Sequence, residues 1–249
     1  MVDGAMKTVV VATGNKHKLE EIQAILSAQL QAQFVSAQSI CAYEEPEEDA
    51  KTFEENALIK ARAAYQHCGV PAIADDSGLE LDILGGAPGV YSARYSGVHG
   101  DDEANNRKLI LELKKKGCFC GQEAEDLAGI ELPDDINAKP LARFVSAIAY
   151  IDASGREWIA RGSCEGYIVE KARGEQGFGY DPHFVPFKQA QELDLASLDL
   201  ASCNKDQEIE GKAEALTMAQ MSPEQKNSIS HRKVALQNLL QSLAEGQVS

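Results

Sequence analysis

Two acidic segments carry side chains suited to metal binding and proton transfer. Asp75-Asp76-Ser77-Gly78 follows the short apolar segment 71–74, and the run Glu44-Glu45-Pro46-Glu47-Glu48-Asp49 lies earlier in the chain. A carboxylate at the carboxyl end of a strand points into the usual ligand crevice of an α/β sheet, where it can bind Mg²⁺ or take a proton from water. Taken alone, the first segment is more typical of an Asx turn closed by glycine, and most acidic runs are merely solvated.

A third segment, Thr13-Gly14-Asn15-Lys16-His17-Lys18, has the composition of an anion site. It lies between a β-branched segment and a helical pattern, and free backbone N–H groups at a helix start, with lysines nearby, bind phosphate. Its spacing matches neither the P-loop nor the dinucleotide-binding glycine pattern. The alternative is a plain turn before a solvated basic helix start.

Two further segments near the carboxyl terminus offer stacking and hydrogen-bonding groups. Gly177-Phe178-Gly179-Tyr180-Asp181-Pro182 combines glycines with two aromatic rings that can stack on a base, and Asp181 can accept a ring N–H. Lys226 precedes Ser228-Ile229-Ser230-His231-Arg232, which places several donors in one helical stretch. The alternatives are an aromatic turn packed on the core and an exposed basic helix face.

Composition excludes several other classes of function. The formal charge of −15 argues against bulk attraction to nucleic acid, so a polyanion would need a local basic pocket or a bridging cation. No apolar run is long enough to span a membrane. The six cysteines show no zinc-site spacing, and no local motif pairs a cysteine with a catalytic base, which disfavours a thiol hydrolase. We expect a cytoplasmic protein with reduced cysteines.

Hydrophobic periodicity predicts alternating strands and helices, typical of an α/β fold. Predicted strands cover 8–12, 33–36, 71–74 and 79–84, and predicted helices cover 18–30, 53–67, 102–116 and 222–244. A hairpin is expected from 142–152 and 157–165, separated by a turn at 153–156. We interpret 118–139 and 189–211 as surface insertions, 1–5 as an N-terminal extension, and 6–244 as a single catalytic domain.

Together, in this order, these segments resemble one family, the inosine triphosphate pyrophosphatases, also called dITP/XTP pyrophosphatases. Any one of the motifs is weak, whereas six in register are specific, and they cover Met6 to about Leu243. The motifs that carry the resemblance are Val11-Ala12-Thr13-Gly14-Asn15-Lys16-His17-Lys18, Glu47-Glu48 before Phe53-Glu54-Glu55-Asn56-Ala57, Ala74-Asp75-Asp76-Ser77-Gly78-Leu79, the stretch from Gly85 to Tyr95, Gly177-Phe178-Gly179-Tyr180-Asp181-Pro182, and Lys226-Asn227-Ser228-Ile229-Ser230-His231-Arg232.

This resemblance implies both a fold and an activity. The implied fold is an elongated mixed central sheet flanked by helices, in two lobes with a substrate cleft between them, and the implied assembly is a homodimer. The implied reaction is Mg²⁺-dependent hydrolysis of ITP, dITP and XTP to the monophosphate and pyrophosphate, which cleanses the nucleotide pool.

By position, the resemblance also assigns the reacting groups. Asp76 matches the proton acceptor and a metal ligand, Glu47 matches the other metal-binding carboxylate, and Glu48 is the fallback for Glu47. Asp75 is left with a structural role. The residues that match substrate contacts are Thr13, Gly14, Asn15, Lys16, His17 and Lys18 for the triphosphate, Ser77, then Phe178, Gly179, Tyr180 and Asp181 for the base, and Lys226, His231 and Arg232.

Base choice must come from hydrogen-bond polarity. A donor such as Arg232 or His231 suits the carbonyl of hypoxanthine or xanthine and is left unpaired by adenine, which costs about 1–3 kcal/mol when buried. Guanine shows the same carbonyl, so this donor alone does not reject GTP. Rival interpretations are a Maf-like pyrophosphatase for modified pyrimidine triphosphates, disfavoured by the Ser-His-Arg segment, and a non-catalytic nucleotide-binding paralogue, disfavoured by the two carboxylate sites.

Overall fold

A computed structural model describes residues 7–26, 32–40, 43–119, 140–187 and 215–246. The predicted extension 1–5 lies outside the described residues. So do the two predicted insertions, 118–139 and 189–211, except for Cys118 and Phe119.

Six strands form one mixed sheet. They are β1 (Lys7–Val11), β2 (Ala32–Ser36), β3 (Ala72–Leu81), β4 (Leu141–Ile151), β5 (Glu157–Ile168) and β6 (Phe184–Pro186). Their order across the sheet is β2-β1-β3-β4-β5-β6. β1 pairs in parallel with β2 and with β3, whereas β5 and β6 are antiparallel. The predicted hairpin is confirmed, since β4 and β5 are neighbours joined by a turn in which Asp152 Oδ1 accepts from Ser154 N at 2.8 Å.

Helices flank these strands. They are α1 (Lys16–Leu26), α2 (Ala37–Ile40), α3 (Phe53–Cys68), α4 (Asp102–Lys115), α5 (Pro223–Ile229) and α6 (His231–Gly246), with short 3₁₀ turns at Asp82–Leu84, Gly89–Arg94 and Met218–Gln220. The predicted α3 and α4 are confirmed to within a residue at each end. Thr52 caps α3 by accepting from Glu55 N, and Gly69 ends it in the left-handed conformation at φ 66°.

Alternation along β1 and β3 directs neighbouring residues to opposite faces of the sheet. One face presents Val9, Val11 and Ile73, which form a core cluster with Ile22 of α1 and Leu236 of α6. The next residue in each strand points the other way, toward α3. This arrangement matters for the acidic segment, because it lies within β3.

Two predictions about local structure are wrong. Asp75-Asp76-Ser77-Gly78 is part of β3 and not a turn, since long-range partners neutralise its carboxylates inside the sheet. The predicted helix 222–244 is two helices, broken at Ser230. The Ser230 hydroxyl accepts from Lys233 N at 3.1 Å and so caps α6, a position that serine favours. The proline start after Ser222 is confirmed, because Ser222 Oγ accepts from Gln225 N.

Two compact units account for the chain. The first comprises Met1–Gly78, Phe144–Ser163 and Asn227–Ser249, and the second Leu79–Arg143 and Cys164–Lys226. β3, β4 and β5 contribute residues to both units, and the single catalytic domain 6–244 stays a prediction.

Cys68 is disulfide-bonded, against the expectation of reduced cysteines. Across the described ranges, no helix is both long and apolar enough to cross a membrane.

Candidate active site

Asp76 lies at the centre of a buried polar cluster in the first unit. Its Oδ2 accepts from Asn56 Nδ2 at 3.2 Å, and its Oδ1 lies 3.1 Å from Lys60 Nζ. Asn56 and Lys60 are four residues apart on α3, so they project from the same side of that helix toward the strand. The Lys60 ammonium also lies 3.1 Å from Glu48 Oε1. Lys60 therefore joins the strand carboxylate to the acidic loop.

Burial dominates the protonation of Asp76. Desolvation raises the pKa of its carboxyl, and the positive charges of Lys60 and Lys18 offset only part of that effect. A carboxyl group with a raised pKa is a stronger base than an ordinary aspartate, which suits proton transfer from water near neutral pH.

The acidic loop presents one of its glutamates to this cluster. Glu48 is partly buried and shares Lys60 with Asp76, whereas the Glu47 side chain is exposed. Across the described part of the chain, no three metal-binding side chains come together. Two carboxylates that already hold one cationic group fit Mg²⁺, which needs only one or two carboxylates when phosphates supply further oxygens.

Asp75 faces the other side of the sheet and is buried in a different network. Arg232 donates to it through Nε and Nη2, both at 3.2 Å, Lys18 Nζ lies 2.9 Å from Oδ2, and Ser146 Oγ donates to Oδ1 at 2.6 Å. Burial alone would raise the pKa of Asp75, but Arg232 and Lys18 outweigh it and hold the pKa well below its ordinary value. Asp75 is thus a permanently charged anchor.

Arg232 is fully buried and engaged by this network. Besides Asp75, its Nη2 donates to Ser77 Oγ at 3.1 Å, and its Nη1 donates to Glu21 of α1. Asp75 and Ser77 contact the same guanidinium because residues two apart in a strand share a face. The contact of Arg232 with substrate stays a prediction. To bind substrate, Arg232 would have to give up one of these hydrogen bonds within the protein.

The predicted phosphate segment begins beside the acidic segment. Val11 of β1 pairs with Ile73 of β3, and Ala12 N donates to Ile73 O at 2.8 Å. The phosphate segment and the acidic segment therefore both follow the same end of this parallel pair. The backbone N–H groups of His17 and Lys18 are not free, since both donate to Asn15 Oδ1.

Other groups of this segment have partners or lie at the surface. Asn15 N donates to Thr13 Oγ1 at 3.1 Å, and Gly14 N donates to the Glu45 carboxylate of the acidic loop. The side chains of Lys16 and His17 are 84% and 60% exposed, whereas Lys18 is 15% exposed and points to Asp75. The predicted phosphate contacts of this segment stay predictions, and at Gly14 N a phosphate would have to replace the Glu45 carboxylate.

The predicted base segment folds into a tight turn in the second unit, here called the aromatic turn (residues 177–181). Asp181 is buried, and its Oδ2 accepts from Phe178 N at 3.0 Å and lies 2.8 Å from Lys226 Nζ. The same ammonium lies 4.5 Å from the centre of the Phe178 ring. Gly177 has φ 80°, and a Cβ there would overlap the Asp181 carboxylate. The structure thus brings Phe178, Asp181 and Lys226 together.

The remaining residue of the predicted site, His231, is buried at the start of α6. Its ring stacks on Phe144 of β4, with centroids 5.1 Å apart and planes 18° from parallel. Close packing fixes this position, because a Cβ at Gly162 of β5 would overlap the backbone of His231 and Ala235.

Several residues in these clusters were missed by the sequence analysis. Lys60, Asn56, Ser146 and Glu21 all contact a predicted site residue. Asn56 and Lys60 do carry a signal in the sequence, since two polar side chains four residues apart interrupt the apolar face of a helix. Ser146 lies in an otherwise apolar strand, and nothing nearby in the sequence indicates its partner.

Comparison with known proteins extends over nearly the whole chain. The pattern of the Ham1 family matches residues 9–215 and 206–242. The chain is 40% identical to the dITP/XTP pyrophosphatase of Corynebacterium diphtheriae, covering 95% of this chain and 96% of that protein. It is 39% identical to the dITP/XTP pyrophosphatase of Nocardia farcinica, covering 96% of both. Among solved structures, a HAM1 protein from Coxiella burnetii has a TM-score of 0.70 at 32% identity, covering 96% of this chain and 100% of that one.

Proposed function

Because the chain belongs to the Ham1 family, we propose that it is a dITP/XTP pyrophosphatase, a hydrolase that converts ITP, dITP and XTP to the monophosphate and pyrophosphate. The observation that carries this proposal is the position of Asp76. Its carboxyl group is buried and has a raised pKa. It directly follows Asp75, which binds Lys18, in the strand that pairs with β1 next to the start of the phosphate segment. The enzyme thereby removes non-standard purine nucleotides from the nucleotide pool.

In this mechanism Asp76 takes the proton from the attacking water. Asn56 and Lys60 each hold one of its two carboxylate oxygens, so the carboxylate is fixed before substrate binds. The water attacks the α-phosphorus in line, and pyrophosphate leaves. Lys18 has three N–H donors and one contact to Asp75, so it can also donate to a phosphate and stabilise the departing charge.

Glu48 and Asp76 are the residues that would hold Mg²⁺. The geometry favours Glu48 over Glu47, since only Glu48 reaches the cationic group that Asp76 binds. When bound, the ion offsets the charge of the triphosphate. We expect Glu48→Gln to raise the Mg²⁺ concentration needed for half-maximal activity and the matched variant Glu47→Gln to leave it unchanged. Full activity in EDTA would contradict the metal requirement altogether.

The base is proposed to bind through Phe178, Gly179, Tyr180, Asp181 and Lys226, with His231 and Arg232 as the remaining contacts. The buried Asp181–Lys226 pair against the Phe178 ring supports this, because it combines a stacking surface with an acceptor and a donor. No observation on the described residues favours the alternative, Maf-like action on pyrimidine triphosphates.

Location and assembly complete the proposal. We place the enzyme in the cytoplasm, where the nucleotide pool that it acts on lies. We also propose the homodimer that the family resemblance implies. Light scattering on the purified protein should give twice the chain mass of 26.9 kDa, and a monomer mass would contradict the dimer.

The catalytic role of Asp76 is tested by Asp76→Asn. The amide keeps the shape but is neither a base nor an anionic ligand, so kcat should fall by about two to four orders of magnitude while ITP still binds. Pyrophosphate release and equilibrium binding measure the two effects separately. Turnover within about tenfold of the wild type would remove Asp76 from the role of base.

A further inference from the structure

We propose that Asp102 and Asn106 of α4 are positioning residues that hold the aromatic turn in the conformation required for base recognition. Neither residue belongs to the predicted site. The inference rests on the proposed function, because it assigns these residues to the base-binding part of that activity. It stands on hydrogen bonds within the second unit alone.

The side chains of Asp102 and Asn106 bind both backbone polar groups of Gly179, and these two contacts are called the clamp below. Gly179 N donates to Asp102 Oδ2 at 2.7 Å, and Asn106 Nδ2 donates to Gly179 O at 2.8 Å. Asp102 and Asn106 are four residues apart on the helix, so both project from the same side of α4. Two opposed contacts to the N–H and C=O of a single residue fix the orientation of its peptide groups as well as its position.

Hydrogen-bond chemistry requires that the Asn106 atom facing Gly179 is the amide nitrogen and not the amide oxygen. Asn106 Nδ2 also donates to Asp102 O at 2.9 Å, so it faces two carbonyl oxygens that only a donor can satisfy. Asn106 Oδ1 is consequently turned away from both and is buried without a hydrogen-bond donor among the described residues. An aspartate at this position would direct a carboxylate oxygen at two carbonyl oxygens, and the clamp would open.

Gly179 is the residue of the aromatic turn that most needs such a clamp. It has φ 61°, a left-handed conformation that glycine favours, and it has no side chain of its own to restrict its backbone. Its neighbour Phe178 supplies the ring beside Lys226, and its other neighbour Tyr180 donates through Oη to Ser92 O at 2.9 Å. Phe178 N also donates to Asp181 Oδ2, so the two contacts to Gly179 and this hydrogen bond together set the direction of the Phe178 ring relative to Lys226. The clamp therefore holds the stacking surface before the base arrives.

The test compares steady-state pyrophosphate release from ITP and ATP by four variants. Asn106→Asp and Asp102→Ala should each raise KM for ITP by about tenfold, the effect of one or two lost hydrogen bonds, and change kcat by less than about twofold. The ratio of kcat/KM for ITP to that for ATP should fall with them. Asp102→Asn should restore KM, because the amide oxygen still accepts from Gly179 N.

Glu103→Gln is the matched control, since Glu103 lies in the same helical turn and its side chain is 88% exposed. Thermal unfolding identifies a variant that fails to fold, and the Asp102→Ala and Asp102→Asn pair then decides the outcome. A KM for ITP unchanged in Asp102→Ala, or a loss of kcat at constant KM, would overturn the inference. Absence of pyrophosphate release by the wild type and Glu103→Gln alike would instead count against the proposed function.

Discussion

At the scale of single residues, Asp75 and Asp76 show how one strand separates two roles for identical side chains. They are adjacent in β3 and face opposite sides of the sheet. Asp75 is surrounded by donors and has a lowered pKa, whereas Asp76 is dominated by desolvation and has a raised one. Arg232, which lowers the pKa of Asp75, lies 157 residues away, and Lys60, which offsets only part of the desolvation of Asp76, lies 16 residues away, so the segment alone could not reveal the difference.

Replacing Asp75 should destabilise the fold in a pH-dependent way. Asp75→Asn removes one of the two anionic partners of the buried Arg232 and the carboxylate that binds Lys18, which costs about 3 kcal/mol of unfolding free energy at neutral pH. The pKa of Asp75 is lowered on folding, so its ionised form contributes stability above about pH 4, and this contribution is lost as the pH falls through the folded-state pKa.

Urea unfolding of the wild type and Asp75→Asn at pH 7 and at decreasing pH measures this effect. The difference between the two proteins should be constant above about pH 5 and should shrink as the pH falls below about 4. A difference that grows on acidification would contradict the assignment of Asp75 as a charged anchor.

At the scale of elements, the hydrophobic pattern of the sequence predicted which strands and helices form better than it predicted where most of them begin and end. Apolar periodicity predicted α3 and α4, and the caps at Thr52 and Gly69 mark where α3 begins and ends. The strand conformation of the acidic segment was missed because distant partners, Arg232 among them, hold its carboxylates in the sheet. The break at Ser230 has a local cause, since Ser230 caps α6, and the continuous helical pattern around it hid this cap.

The packing of β5 against α6 gives a prediction at this scale. Gly162→Ala would place a methyl group against the backbone of His231 and Ala235, so α6 must move outward. We expect a loss of about 1–3 kcal/mol of unfolding free energy together with reduced activity, because α6 carries His231 and Arg232. Calorimetry and pyrophosphate release check both. The neighbouring exposed position Ser163→Ala serves as the control, and normal stability of Gly162→Ala would contradict the close packing.

At the scale of the whole molecule, an acidic protein must accept a polyanionic substrate. The net charge is −15, yet in the first unit Lys18, Lys60 and Arg232 are each held by an aspartate of β3, and in the second unit Lys226 is held by Asp181. In the proposed mechanism the substrate meets lysines already positioned by aspartates. The six motifs in register predicted the family and the activity correctly, and composition alone did not. The sequence did not predict which acidic residue pairs with which lysine, because those pairs join distant segments.

The most direct test of the account is pyrophosphate release from ITP, XTP, dUTP, ATP and GTP, measured side by side with Mg²⁺ on the wild-type protein. We expect kcat/KM for ITP and XTP to exceed that for ATP by at least about tenfold, since adenine leaves a buried donor unpaired. Pyrophosphate should be the product in each case, with no free phosphate released. A preference for dUTP or ATP, or release of phosphate in place of pyrophosphate, would contradict it.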